Sequence, residues 1–540
     1  MTAHPVTASQ PWPKLSTRRI AWETLLLMLL MFVHGGELVP GINEAHYLTK
    51  AKSYWEPDWC DRDLFLSSGK AHRVFDLTFG ALTTLVSLPK TAWIGRIIGW
   101  MLLAIGIVRV VWRVIPRPYA SLWVGLLWMV GVEQGNLAGE WIVGGIEAKV
   151  PAYAFVLFAL ERWLSPRSEQ AWPLLGIAAA FHVLVGGWTV IAFAFAMIID
   201  QQRRLKWRRH LLPLFIGGAI SLFGLVPAIE LNSEASPELA LQAATIYTFH
   251  RLSHHLLATD FYWQWYTRFA AAVVVATIFS WLAQMNSPLR AVMRITAAAG
   301  LIAIIGGVIS VFAKQVPDLA ASLLRFYWFR LADAWVPFCG SLAIVAWIMP
   351  TCDVQTNPQT LRVRLMIGSA ILLAAGLVEV SHWNQRMNLL VPGACRQSLI
   401  GLRPGDRLTA QQKAFEDWIN VCQWIAENTD EDAVILTPRH QQTFKWYASR
   451  AEVVCWKDVP QDAASLVEWS RRIEAVFPPR LGGGRITINY LALRRFRQEY
   501  GASVLIADRR VFGGSLPLVR LYPLGGEING TYEVYAVPKD

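Results

Sequence analysis

The chain has 540 residues, of which 54% are hydrophobic and 16% charged, with a formal net charge of +11. Soluble domains carry about a quarter charged residues, so this composition excludes an ordinary soluble protein. The positive charge does not indicate a nucleic-acid partner, because Lys and Arg cluster in short loops between apolar stretches, where they act as topology signals facing anionic lipid.

The apolar stretches before residue 385 predict a polytopic α-helical membrane protein with about 11 transmembrane helices, since a span needs about 20 mostly apolar residues. Flanking Lys and Arg mark the cytoplasmic side, so Lys14, Arg18 and Arg19 place the N-terminus in the cytoplasm. The basic segment 201–210 is then a cytoplasmic loop. The segment 74–88 is predicted to be an interfacial or re-entrant helix. The stretches 172–185 and 188–199 form a short pair around Gly186–Gly187 that two half-spans would also explain.

After residue 385 the charge content becomes normal, and the pattern predicts a separate soluble α/β domain. Apolar residues recur at helical spacing from Phe415 to Asn428, and helices are also predicted at 463–476 and 490–500. Short apolar runs predict strands at 433–436, 453–456, 504–507, 518–522 and 532–537. The predicted organisation is a transmembrane domain over 1–385, a linker over 386–408 and an extracytoplasmic domain over 409–540. A disulfide among Cys395, Cys422 and Cys455 is an open alternative.

The first polar segment on the predicted outer face follows the first span and contains Asn43, Glu44, His46 and Tyr47. A carboxylate at the start of a helix, such as Glu44, can take a proton from an acceptor hydroxyl or help to bind a metal. The alternative is a charge that suits the helix dipole, with Asn43 as the N-cap.

A second polar segment contains Glu140, Glu147 and Lys149 among several glycines, where one span ends and the next begins. Ionisable groups at membrane depth are costly and tend to be functional. The alternative is that Glu147 and Lys149 form an interfacial ion pair. Both readings stay open.

Two further outer segments carry His and Arg residues, and Arg325 and Arg330 in the second of them match phosphate. The fork of an Arg side chain binds phosphate in two places, although interfacial aromatics with Arg are also the ordinary belt of a membrane protein. Adjacent His254 and His255 point apart on a helix, so a metal shared between them is not predicted. No cofactor and no metal ligand is assigned, and a divalent cation stays open. The candidate binding residues in these two segments are His250, Arg251, His254, Arg325, Tyr327, Arg330 and Asp333.

The layout resembles GT-C glycosyltransferases: a first span, an outer loop with an acidic residue and a Tyr three residues on, a second acidic loop after the third span, and a soluble tail. The segments 41–59, 139–149 and 325–333 also resemble a group of bacterial multispanning membrane proteins. Many GT-C members have Asp-Glu or a lone Asp where this chain has Asn43-Glu44. The tail lacks the Trp-Trp-Asp-Tyr-Gly motif of oligosaccharyltransferases, which argues against glycosylation of Asn sequons.

The resemblance implies an inverting glycosyltransferase that moves a sugar from a polyprenyl-phosphate carrier to an acceptor on the outer face of the bacterial inner (cytoplasmic) membrane. Glu44 would be the catalytic residue. The implied partners are membrane lipid and a polyprenyl-phosphate-linked sugar donor, with no nucleic acid. The alternative is a transporter or flippase of a lipid-linked or polar solute, which would show repeated halves, and the sequence contains no internal repeat.

Overall fold

The computed structural model describes residues 15–283, 286–350, 357–399, 408–478, 489–512, 515–525 and 528–539. Helices dominate up to residue 428. The helices of the first half are α1 (Thr17–Gly35), α2 (Glu44–Trp55), α3 (Leu64–Ser67), α4 (Arg73–Thr78), α5 (Leu88–Val114), α6 (Ala120–Gly135), α7 (Lys149–Trp163), α8 (Ala171–Phe181), α9 (Val183–Ile199), α10 (Gln201–Arg204), α11 (Arg208–Glu230), α12 (Pro237–Thr245), α13 (Ser253–Leu256) and α14 (Trp263–Leu282).

The second half adds the remaining helices and the strands. Its helices are α15 (Ser287–Val311), α16 (Pro317–Leu324), α17 (Arg330–Ile348), α18 (Pro358–Leu389), α19 (Leu408–Asn428), α20 (Phe444–Ala448), α21 (Ala463–Val476), α22 (Tyr490–Tyr500) and α23 (Arg509–Phe512). Its strands are β1 (Val434–Leu436), β2 (Ala451–Glu452), β3 (Ala502–Asp508), β4 (Arg520–Tyr522) and β5 (Tyr532–Ala536).

The apolar stretches predicted as spans overlap eleven of the described helices, namely α1, α5, α6, α7, α8, α9, α11, α14, α15, α17 and α18. Of the described helices, six are long and apolar enough to cross a membrane by length and composition: α5, α11, α14, α15, α17 and α18. The helix α17 is buried along its whole apolar window, whereas α11, α14 and α18 are mostly exposed. An exposed apolar helix needs an apolar solvent, so these three helices form part of the lipid-facing surface.

The break between α8 and α9 lies at His182 and not at Gly186–Gly187, where the hydropathy pattern placed it. His182 adopts an extended backbone and its Nδ1 accepts from the Val185 amide, so it caps α9. Gly186 then approaches Ala179 so closely that a Cβ atom would lie 2.2 Å from the Ala179 nitrogen. A glycine is required there because the two helices fold back on each other.

The segment 74–88 was predicted to form one interfacial or re-entrant helix, but it is divided into two shorter elements. It forms α4 and a separate 3₁₀ turn at Gly80–Thr84, and neither is long enough to cross a bilayer.

The C-terminal region contains a five-stranded sheet in the order β2-β1-β3-β5-β4. The strand β1 pairs in parallel with β2 and β3, while β5 pairs antiparallel with β3 and β4. The predicted helices at 463–476 and 490–500 have the observed bounds, but the strand predicted at 453–456 is displaced to Ala451–Glu452. The three cysteines considered for a disulfide, Cys395, Cys422 and Cys455, are buried and form none in this structure.

The C-terminal region packs directly on the polar loops of the helical region. Phe65, after α2, and Ala243, in α12, share a hydrophobic core with Leu466 and Trp469 of α21. The loops that carry the candidate site residues are therefore covered by this region, which encloses the space between them.

Candidate active site

A cavity of about 440 Å³ lies where the four polar segments meet the C-terminal region. Most of the binding residues predicted from the sequence line it, and they come from segments far apart in the chain. The predicted residues in its wall are Asn43, His46, Tyr47, Glu140, Glu147, Lys149, Arg251, Arg325, Tyr327 and Arg330. The structure thus brings together four segments that the sequence could only place on one side of the membrane.

Lys149 lies between the two carboxylates of the second polar segment. Its Nζ is 2.9 Å from an oxygen of Glu140 and 2.9 Å from an oxygen of Glu147, and it lies 4.1 Å from the centre of the Trp141 ring. All three charged side chains are almost fully buried. Buried ions persist only when they are paired, so these residues form one electrostatic unit.

Arg330, at the start of α17, extends this unit. Its Nε lies 2.7 Å from the second oxygen of Glu140, and its Nη1 lies 3.2 Å from Nε2 of His182. The guanidinium also stacks 4.1 Å from the centre of the Tyr327 ring, whose hydroxyl lies 3.1 Å from that of Tyr247. Glu140 is therefore held between two cations.

Asn43 does not cap α2 with its side chain, as one reading of the sequence expected. Its Nδ2 instead donates to the free oxygen of Glu147 at 2.8 Å. Glu147 is thus bound by one cation, Lys149, and one neutral donor.

The loop that carries Glu140 is fixed from behind by Asp333. The Asp333 carboxylate accepts from the amides of Leu137 and Ala138 at 2.7 and 2.9 Å, and it is fully buried outside the cavity wall. The next residue, Gly139, has a φ of +76°, which favours glycine. Asp333 is therefore a positioning residue in this structure and does not face the cavity.

Glu44, predicted as the catalytic residue, lies behind the cavity wall and not in it. It is 1% exposed, and its two oxygens accept from Nε and Nη2 of Arg96 at 2.7 and 2.6 Å. The amides of Gly41 and Ile146 donate to the same carboxylate at 2.6 and 2.8 Å. It lies beside the second polar segment, as expected, but its oxygens are already occupied by four donors.

Two other predicted residues also lie away from the cavity. His250 and His254 are exposed and do not line it. The neighbouring His255 does, and its Nδ1 donates to the Ala138 carbonyl at 2.6 Å. Burial lowers the pKa of His255 to about 3, so this ring is neutral.

Several cavity residues were not predicted from the sequence: His72, His182, His255, Lys457 and Gln461. His182 had a usable signal, because a histidine inside an apolar stretch is costly and tends to be functional. Lys457 and Gln461 had none, since nothing in the tail indicates which of its loops meets the membrane region.

Next to the cavity, His46 is tied to a buried cluster in the C-terminal region. Its Nδ1 donates to Asp458 at 3.1 Å, and Lys445 Nζ lies 2.7 Å from the other Asp458 oxygen. Burial opposes ionisation of Asp458, but the Lys445 ammonium outweighs it and holds the pKa of that carboxyl below its usual value. This cluster, completed by Asp63 and Glu452 around Lys445, joins the segment between α2 and α3 to the C-terminal region.

Comparison with known proteins gives a fold and a short family match. Residues 416–476 match the family model described as a domain of unknown function, DUF6798. No curated protein matches the sequence. Among solved structures, the chain is similar to the crystal structure of ArnT from Cupriavidus metallidurans bound to undecaprenyl phosphate, with 15% identity and a TM-score of 0.52 over 96% of this chain and 97% of that chain.

The chain has the fold of ArnT. The predicted GT-C-like membrane architecture is therefore confirmed at the level of the fold, and the chain is a multi-pass membrane protein. Because the likeness extends over almost the whole of both chains, it includes the C-terminal region as well as the helices.

Proposed function

We propose that the chain is a membrane glycosyltransferase that moves a sugar from a polyprenyl-phosphate carrier to an acceptor on the outer face of the bacterial inner membrane. In this proposal the N-terminus is cytoplasmic and about 11 helices span the bilayer. Residues 1–385 form the transmembrane domain, 386–408 the linker, and 409–540 the extracytoplasmic domain. The ArnT structure holds undecaprenyl phosphate, a ligand of the same chemical class.

The observation that carries the proposal is the combination of a cationic and an apolar wall in one cavity. The wall holds two carboxylates, Glu140 and Glu147, and five basic side chains: Lys149, Arg251, Arg325, Arg330 and Lys457. A site with an excess of cations attracts an anion such as a phosphate.

Part of the apolar wall comes from the end of α11. Leu225, Ile229 and Leu231 line the cavity, and Ile229 is 60% exposed. A cavity bounded by a lipid-facing helix suits a ligand with a charged head and an isoprenoid chain. A free sugar nucleotide has no isoprenoid chain, so its binding would not require an apolar wall.

Within the cavity, Glu147 is the carboxylate best placed to act as a base. Glu140 is held by two cations, whereas one oxygen of Glu147 is bound only by the neutral amide of Asn43. An acceptor hydroxyl can replace that amide as the donor without breaking an ion pair.

In the transfer step, the acceptor oxygen bonds to the sugar carbon as the bond from that carbon to the carrier phosphate oxygen breaks. The proton of the acceptor passes to Glu147, and the polyprenyl phosphate leaves with both electrons of the broken bond. Arg330 and Lys149 are placed to stabilise the charge that develops on the leaving phosphate.

The test uses the purified chain in lipid vesicles with polyprenyl-phosphate-linked sugars and a membrane extract that supplies acceptors. Mass spectrometry follows the release of polyprenyl phosphate, with Glu147→Gln as the inactive comparison. Release that depends on both the chain and Glu147 is the expected result. Movement of intact carrier across the bilayer without release of polyprenyl phosphate would favour the flippase alternative and overturn the proposal.

A further inference from the structure

A second cavity of about 410 Å³ lies next to the first and has Gly139, Glu140 and Trp141 in common with it. Its other walls come from the ends of α1 and α6 and from α18. The proposed sugar transfer uses none of its remaining residues.

Three helices bring a group of imidazole and carboxylate side chains to this cavity. The ligand atoms of His34 in α1, Glu133 in α6 and Glu379 in α18 all lie within 4.8 Å of one another. His34 Nδ1 is 2.8 Å from one oxygen of Glu379. His34 and Glu133 line the cavity directly.

His382 supports the group from the same face of α18. It lies three residues after Glu379, and its Nδ1 is 3.0 Å from an oxygen of Glu133. The Glu-x-x-His spacing places both side chains on one helix face, and it recurs in helical bundles that hold metals between their helices.

The contacts of Glu379 within the protein leave one of its carboxylate oxygens without a hydrogen bond among the described residues. The residue is 2% exposed, and its second carboxylate oxygen has no hydrogen-bond partner among the described residues. A buried carboxylate oxygen without a partner is costly, and more so at membrane depth. The imidazole of His34 satisfies only the first oxygen.

We propose that His34, Glu133 and Glu379 bind one divalent transition-metal ion at the second cavity. One imidazole and two carboxylates form a ligand set typical of Zn²⁺ or Mn²⁺. Oxygen and nitrogen ligands of one tetrahedral zinc ion lie roughly 3.4 Å apart, so ligand atoms separated by up to 4.8 Å would need to close by up to about 1.4 Å.

The remaining coordination positions face the cavity, where water or an anionic group can enter. His382 would then bind the Glu133 carboxylate and orient it, as residues that hydrogen-bond to metal ligands do in other metal sites. The ion would tie together α1, α6 and α18, the last helix before the C-terminal region.

A second acidic group in the chain shows by contrast why this one is suited to a metal. Glu452, Cys455 and Asp458 also have ligand atoms within 4.8 Å of one another. However, the Lys445 ammonium already lies among them, 2.5 Å from Glu452 and 2.7 Å from Asp458. Among the described residues no Lys or Arg forms an ion pair with Glu379, although Arg386 of the same cavity lies near enough to interact electrostatically with Glu379 and Glu133.

The experiment uses the full-length chain, purified in detergent with a tag that contains no histidine, stripped with a chelator and dialysed. Zn²⁺ and Mn²⁺ are titrated separately by calorimetry, and the bound metal is counted by mass spectrometry. We expect one equivalent of at least one of these ions, with a higher melting temperature in the loaded protein, because an ion that binds only the folded state stabilises it.

The variants locate the ion. Glu379→Gln and His34→Ala should each lower the metal affinity by at least tenfold. Glu133→Gln should lower it as well, and because Glu133 is more exposed, this variant is expected to fold even if the other two do not. His254→Ala, which alters an exposed histidine elsewhere, is the matched control and should bind like the parent chain. The proposal would be overturned if the parent chain bound no metal at a metal concentration of about 10⁻⁴ M. Full binding in all three site variants would also overturn it.

Discussion

Arg96 donates from Nε and Nη2 to both carboxylate oxygens of Glu44, and neither side chain is more than 1% exposed. This pair joins α5 to the start of α2, while the Ile146 amide attaches the second polar loop to the same carboxylate. Glu44 therefore holds two loops of the cavity in place from behind.

We expect Glu44→Gln to act mainly on stability. It leaves the buried Arg96 without its counter-charge, and breaking such a pair typically costs about 3–5 kcal/mol. Thermal unfolding in detergent measures this loss. The double variant Glu44→Leu with Arg96→Met should be more stable than Glu44→Gln. A Glu44→Gln chain that keeps its full melting temperature and loses turnover would instead restore the catalytic role predicted from the sequence.

Glu147→Gln should reduce turnover by about 10² to 10⁴-fold, which is the usual contribution of a general base. The fold should persist, because Lys149 keeps Glu140 as a partner at 2.9 Å. The measurement is the release of polyprenyl phosphate at saturating donor. Glu238→Gln, at an exposed position of α12, is the matched control and should retain parental activity.

Arg330→Lys keeps the positive charge but loses the planar fork that reaches Glu140 and His182. Donor affinity should fall by about tenfold, measured as the Kd of a polyprenyl-phosphate analogue. Arg495→Lys changes the same residue type on the exposed face of α22, where it pairs with Glu499, and should bind normally. Equal affinity in both variants would remove Arg330 from the binding site.

His72 should make the chain less stable in acid. Burial lowers the pKa of His72 to about 4 from an ordinary 6.5, although nearby Glu147 acts in the opposite direction. Between these values the folded state binds fewer protons than the unfolded state, so the free energy of unfolding falls as the pH drops from 6.5 towards 4. The loss from this group is on the order of 2 kcal/mol.

Melting temperatures at pH 7.5 and 4.5 test the effect. We expect a smaller difference between the two values in His72→Gln than in the parent chain. His250→Gln, which alters an exposed histidine, should leave the difference unchanged. Identical pH dependence in His72→Gln and the parent chain would contradict the expectation.

The proposed orientation can be tested with single-cysteine probes at Leu205 and Asp430, which are both exposed. A membrane-impermeant reagent added from outside should modify the probe at 430 and not the probe at 205. The five described cysteines are buried, which limits their reaction in the folded chain. The reverse pattern would invert the topology.

The sequence predicts the elements of this fold better than the contacts between them. Apolar runs set the positions of the helices, because a span needs a fixed length of apolar residues. The contact between Glu44 and Arg96 was not predicted, because Arg96 is 52 residues away within an apolar helix and periodicity does not pair residues at that separation. A buried Arg in an apolar stretch was nevertheless a signal that a carboxylate must meet it.

The four polar segments were predicted as one site from topology alone, and ten of the predicted site residues line one cavity. Which side chains face that cavity depends on local geometry that composition does not carry. Asp333 and Glu44 turn away from it to bind backbone amides, whereas His182 enters it only because the chain breaks between α8 and α9.

The segment Gly139–Trp141 forms part of the wall of both cavities. A ligand that displaces this segment from one side therefore changes the space available on the other. Thermodynamic linkage makes such an effect reciprocal: if occupancy of the second cavity alters affinity in the first by some factor, occupancy of the first alters affinity in the second by the same factor. Two ligands that do not contact each other would then change each other's affinity through these three residues.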